Sequence, residues 1–186
     1  PDRDSMVSGG GAGAAIREGV ESGVPVGILG HNSRSDALEY VNMLRMGYSY
    51  NPKLAETKNF YLKMNGRRLY QYALEYVPQA IKAGLDKLHL HVNDVHKVLI
   101  HQANGKMDDA ILKRLFKLYG MKEVKETIMP MTISWLGNSS VATVPTLLDI
   151  ITRNDMEGHS ISSGDNVVLA SVGAGMSINS IIYKVP

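Results

Sequence analysis

Between Leu69 and Leu88 the apolar side chains fall every third or fourth residue: Leu69, Tyr72, Ala73, Tyr76, Val77, Ala80, Ile81, Leu85 and Leu88. That stripe predicts an amphipathic helix. Pro78 lies inside it and predicts a kink, because proline donates no N–H and crowds the preceding turn. A second stripe, Met107, Ala110, Ile111, Leu115, Leu118 and Tyr119, predicts a helix over Lys106 to Tyr119. Asp108 and Asp109 near its start and Lys113, Arg114 and Lys117 near its end complement the helix dipole. Gly120 supplies a stop. Ser139 to Ile151 predicts a third helix, with Pro145 inside its first two turns.

Short apolar runs mark the strands. Val24 to Leu29, Val95 to Ile100, Asn166 to Val172 and Met176 to Tyr183 each read as one, and Thr127 to Trp135 reads as extended. Gly173-Ala174-Gly175 between the last two is a tight connection suited to a hairpin. His31 to Thr57 is polar and irregular, with Asn51-Pro52 as a turn signal. A stretch of that length is usually a functional loop or a covering segment. From Leu69 on, the order is helix, strand, helix, strand, helix, strand, strand. This alternation predicts an α/β layer, a mixed β-sheet with helices on both faces.

Composition narrows the class. The 186 residues suffice for one ordinary domain or a little more, and 44% hydrophobic with 20% charged is globular. A formal charge of +2 with no basic block among aromatics argues against nucleic acid. No apolar run approaches the roughly 20 residues that cross a bilayer. The chain contains no cysteine, so it offers neither disulfide nor thiol nucleophile. It opens on Pro1-Asp2-Arg3-Asp4 without an initiator methionine or a signal-peptide pattern, and therefore reads as part of a longer protein.

Two junctions carry candidate chemistry. His101-Gln102-Ala103-Asn104 follows the apolar Val98-Leu99-Ile100, which puts His101 at the carboxyl end of a strand, where α/β sheets project ligand-binding residues. Gly137-Asn138-Ser139-Ser140 lies between an extended stretch and a helix. An imidazole N–H and a side-chain amide could together donate to an oxygen that gains charge, and one such donor is typically worth ~10²–10³ in rate. Asn138 would serve equally as a helix N-cap, and His101 as a structural residue.

His101-Gln102-Ala103-Asn104, Gly137 to Pro145, Gly164 to Leu169 and Gly173-Ala174-Gly175 together resemble the C-terminal half of the 3-oxoacyl-acyl-carrier-protein synthase III family. Met64-Asn65-Gly66-Arg67-Arg68-Leu69-Tyr70 is similar to its Met-x-Gly segment. Gly10-Gly11-Ala12-Gly13-Ala14 is similar to its glycine-rich strand that closes the N-terminal half. The resemblance implies a thiolase-like fold, one half of a duplicated architecture. It divides the chain into the end of the N-terminal half (1–30), a covering loop or linker (31–63) and the C-terminal half (64–186).

The activity implied is decarboxylative condensation of an acyl primer with a malonyl-carrier-protein thioester, in fatty acid biosynthesis. The catalytic cysteine would lie outside this chain, which alone would be inactive. His101 and Asn138 are the catalytic positions implied, and Asn104, Lys106, Gly66 and Ala174 the substrate-binding ones. Asn104 would line the pantetheine tunnel and the Ala174 amide would serve an oxyanion hole. No cofactor is implied beyond coenzyme A and acyl-carrier-protein thioesters as substrates. The partners implied are acyl carrier protein, acyl-CoA and a second copy in a homodimer, in the cytoplasm. Lys106 stands where the family often has arginine, Gly10 where it has aspartate, and Met176-Ser177-Ile178-Asn179 where Thr-Trp-Gly is common.

Other readings are weaker. Gly9 to Gly13 lacks the strand–loop–helix setting and the following Lys of a phosphate loop, and reads better as a tightly packed strand. His89, His91 and His96 with Asp94 match no zinc spacing. Lys113, Arg114 and Lys117 form a basic face, either solvated or suited to an acidic carrier protein. A non-catalytic thiolase-like module that binds a carrier protein or partner, and a related synthase of secondary metabolism, are the alternatives. One half of such an architecture is also expected to expose an apolar face.

Overall fold

The computed structural model describes residues 8–56 and 58–186. The start of the small-residue stretch at Ser5 and the end of the polar stretch at Thr57 lie outside them. The elements in chain order are β1 Gly27–Ser35, α1 Ala37–Tyr40, β2 Leu44–Tyr48, α2 Pro52–Ala55, β3 Phe60–Met64, α3 Gly66–Lys87, β4 Val95–Ile100, α4 Gly105–Lys117, α5 Ile133–Leu136, α6 Thr143–Thr152, β5 Asn166–Gly173 and β6 Ser177–Lys184.

β1, β6, β5 and β4 form one sheet in that order. β4 pairs parallel to β5, and the other neighbours are antiparallel, so the sheet is mixed as expected. α3 and α4 pack on one face. Their buried residues Ile81, Leu85, Ile111 and Leu115 meet Val98, Val168 and Ile182 of the strands. α6 covers part of the other face, with Leu147 and Ile151 against Leu99 and Val167. A separate antiparallel hairpin, β2 with β3, stands beside α3.

The helix ends follow local chemistry. Asn65 caps α3 by accepting from the Arg68 amide at 3.3 Å. Asn104 caps α4 by accepting from the amides of Lys106 at 3.0 Å and Met107 at 3.3 Å. Past the end of α4, Gly120 has φ +73°, a left-handed conformation that glycine adopts without strain. α3 runs unbroken through Pro78, which is buried on its core face.

Two expectations are corrected. The stretch from His31 on is not irregular throughout: residues 31–35 continue β1, and 44–48 form β2. β1 pairs with β6 along its length, from Gly27 opposite Lys184 to Ser35 opposite Ser177. Beyond its end, Asp36 accepts from the Arg34 Nε and the Tyr72 hydroxyl, both at 2.6 Å, which ties the strand to α3. Thr127 to Trp135 does not form a strand, and its last part is helical as α5. The physical reason is Gln102, a fully buried side chain. Its Oε1 accepts from the amides of Thr132 at 2.8 Å and Ile133 at 3.1 Å, and its Nε2 donates to the Pro130 carbonyl at 2.8 Å. A side chain thus satisfies backbone groups that a strand would have paired in a ladder.

The glycines near the start form no strand beyond an isolated bridge of Ser8 with Asn138, but they pack closely. A Cβ at Gly11 would stand 2.9 Å from Ser139 Cβ, and one at Gly13 would stand 2.6 Å from Pro145 Cγ. A Cβ at Gly10 would meet nothing within 4 Å. Gly9, Gly11 and Gly13 therefore lie close against residues 136–145. The Gly9 amide fixes the segment there by donating to the Asn138 carbonyl at 2.6 Å.

Candidate active site

β4 delivers His101 to the edge of the sheet. The backbone amide of His101 donates to the Ala170 carbonyl at 3.0 Å, one step beyond the last pair of the β4–β5 ladder. Asn138 comes from the turn between α5 and α6. The two side chains share the wall of one cavity of about 610 Å³. Leu44, Leu62, Met64 and Leu69 line it from the hairpin and α3, Val141 from the turn before α6, Val144 from the start of α6, and Ala174 from the β5–β6 connection. An apolar cavity with a few convergent polar groups is the usual form of a small-ligand site.

Ser140 orients both polar groups. Its backbone N–H donates to Asn138 Oδ1 at 2.9 Å, which leaves the Asn138 NH2 as the free end of that side chain. Its carbonyl lies 3.1 Å from His101 Nδ1. A carbonyl can only accept, so Nδ1 carries a proton and the neutral ring has an unprotonated Nε2. Ser140 holds these contacts at φ +55°, an uncommon conformation for a residue with a side chain. Burial pushes the His101 pKa below its usual value, and the Ser140 carbonyl works in the opposite direction. Asn138 is thus set as a donor. His101 donates from Nε2 only after that nitrogen takes up a proton.

Of the residues singled out in the sequence, the structure brings His101, Asn138 and Ala174 to the cavity. Asn104, Lys106 and Gly66 are not among the residues that line it. Asn104 spends its side chain on the α4 cap, Lys106 is exposed, and Gly66 opens α3. The basic residues Lys113, Arg114 and Lys117 are exposed on α4. His91 accepts from the Asn93 amide and His96 contacts the Ser160 carbonyl. Ser140 and Gln102 were missed as organisers of the site. Their roles depend on contacts across 39 and about 30 residues, and only the position of Gln102 inside an apolar strand-end motif could have hinted at one.

A family model described as 3-oxoacyl-[acyl-carrier-protein (ACP)] synthase III C terminal matches residues 85–185, more than half of the chain, from the end of α3 through β6. The chain belongs to this family. Among curated relatives, beta-ketoacyl-[acyl-carrier-protein] synthase III of Acaryochloris marina is 34% identical over 66% of this chain and 34% of its own length. That of Gloeobacter violaceus is 32% identical over 92% of this chain and 50% of its own length. The chain thus spans a third to a half of the synthase III relatives it matches. The crystal structure of 3-oxoacyl-(acyl carrier protein) synthase III from Pseudomonas aeruginosa superposes with a TM-score of 0.69 over 86% of this chain and 44% of that one, at 21% identity. The fold is therefore thiolase-like, with the mixed sheet described above. The family match spans His101, Asn138 and Ala174 alike.

Proposed function

We propose that this chain supplies the decarboxylating side of a condensing centre, the part that turns a malonyl thioester into an enolate. The observation that carries this is the joint attachment of His101 and Asn138 to Ser140 on the wall of one apolar cavity. Loss of carbon dioxide leaves negative charge on the thioester oxygen. The Asn138 NH2 donates to that oxygen, and a preorganised donor in a dry site stabilises it far better than water does. His101 starts with a free Nε2. It takes the proton that a thiol nucleophile loses on acylation, while the coenzyme A that leaves as a thiolate takes its proton from solvent, and it then presents the held proton from Nε2 to the enolate oxygen. After condensation the proton returns to the released thiolate. The nucleophile belongs to a segment other than this one, since the sequence contains no cysteine.

The substrates on this reading are an acyl-CoA primer and a malonyl thioester on an acyl carrier protein. Lys106, Lys113 and Lys117 recur at helical spacing along α4 and give an acidic carrier a complementary surface. The exposed Trp135 and Val141 flank the Asn138 turn and offer an apolar surface for the remainder of the fold, or for a second copy.

The test is the His101→Ala substitution in a protein that carries this chain together with its nucleophile. The expected result is loss of malonyl-thioester decarboxylation by about 10²-fold or more. Decarboxylation at the parental rate would remove His101 from the reaction.

A further inference from the structure

Asp108 stands in the first turn of α4 and is fully buried. It shares the stripe of Met107, Ile111, Leu112 and Leu115 that packs into the main core. A carboxyl group there is costly unless something compensates it. Neither of its oxygens completes a hydrogen bond among the described residues. The donors they face are the backbone N–H groups of Ala103 and Asn104, in the loop that joins His101 to α4. That loop is held on its other side by Gln102, through the amides of Thr132 and Ile133. Its cavity-facing members are Ala103 and, one turn on, Met107.

We propose that Asp108 is a positioning residue that draws the Ala103 and Asn104 amides inward and so fixes the course of the loop leaving His101. The attraction between a carboxylate and two amide dipoles acts across a short gap in a dry surrounding, where such interactions are strong. With Gln102 it forms a two-sided brace: one polar side chain anchors the loop to residues 130–133, and the other anchors it to α4. Burial pushes the Asp108 carboxyl up to about 7, the Ala103 amide pulls it back, and Asp109 raises it again. Asp109 is the charged group that acts on it among the described residues. The importance of this brace to catalysis rests on the reading of His101 as a reacting group; the brace itself is read without substrate.

The experiment is amide hydrogen exchange by NMR on the chain, comparing the parent with Asp108→Asn and Asp108→Leu. Asp108→Leu is expected to speed exchange at Ala103 and Asn104 about tenfold or more, through loss of the attraction of the carboxylate for the two amide dipoles. The Leu112 and Leu115 amides in the same helix should not speed up with them. A structural role alone would move all four together or none, and either result would overturn the proposal. If Asp108→Leu does not fold, Asp108→Asn decides. Protection at Ala103 and Asn104, corrected for intrinsic rates, should rise in the parent as pH passes about 7 and stay flat in Asp108→Asn. The same rise in both would overturn the proposal. Because no turnover is measured, a failure of the His101 activity test leaves this result standing, and the reverse holds too.

Discussion

His101 and Asn138 are oriented by opposite backbone ends of a single residue, Ser140: its carbonyl takes the Nδ1 proton of one, and its amide holds the Oδ1 of the other. Their alignment is therefore a property of one short turn. Movement of that turn shifts both groups together, which keeps their separation while changing their reach into the cavity.

This arrangement separates holding from donating at Asn138. Asn138→Asp keeps the oxygen that accepts from Ser140 and loses the NH2. The fold and the His101 contact should survive, while decarboxylation falls by about 10²–10³. Steady-state decarboxylation of a malonyl thioester, with the His101 ring signals as a control for geometry, checks this.

The titration of His101 has a defined sign. Its folded pKa lies below the ordinary 6.5 because burial disfavours the charged ring. The unfolded chain then takes up the proton first as pH falls. His101 contributes stability above about pH 6.5 that is lost progressively below it, down through the folded pKa. Urea denaturation between pH 4.5 and 8 (roughly the span around the usual histidine value) should show the parent losing stability on acidification relative to His101→Phe. Ring NMR should place the midpoint below 6.5.

Gln102→Leu removes the acceptor for two backbone amides and the donor to Pro130. The site is fully buried, so these groups would be left without water as well. The expected cost is about 3 kcal/mol or more, read from urea denaturation. The 130–136 segment should lose exchange protection before α3 does.

The glycine-rich segment gives a paired comparison. Gly13→Ala forces a Cβ to 2.6 Å from Pro145, whereas Gly10→Ala enters open space. The first should cost ~1–3 kcal/mol and move the Asn138 side-chain amide signals. The second should stay within about 0.5 kcal/mol and leave those signals in place. Equal effects would mean that the glycines are not selected by contact with residues 136–145.

The parts legible in the sequence are those whose burial follows a period. β4, the β5–β6 hairpin and the long helices α3 and α4 all place apolar residues at the spacing their geometry needs. The second half of β1 was hidden because Ser33, Arg34 and Ser35 carry little hydrophobic signal; that edge strand is defined by its backbone pairing with β6. Thr127 to Trp135 misled because its apolar residues suggested a strand while Gln102 met its backbone needs from elsewhere. At the site, the closeness of His101 and Asn138 was legible and the protonation of the ring was not. The tautomer is set by Ser140, 39 residues further along the chain. Asp108 passed as a helix-start acid because the dipole rule accounts for it without reference to the core stripe on which it stands.

β6 lies between β1 and β5, although it follows both in the chain. The β1 edge must therefore wait, unpaired on this side, until some 140 further residues have left the ribosome. A nascent chain interrupted before Ser177 would lack the middle of this sheet, and β1 would lack the neighbour it has among the described residues. Synthesis of this segment thus carries a long interval in which an open strand edge needs shielding from other chains, and the eight residues of β6 close the sheet.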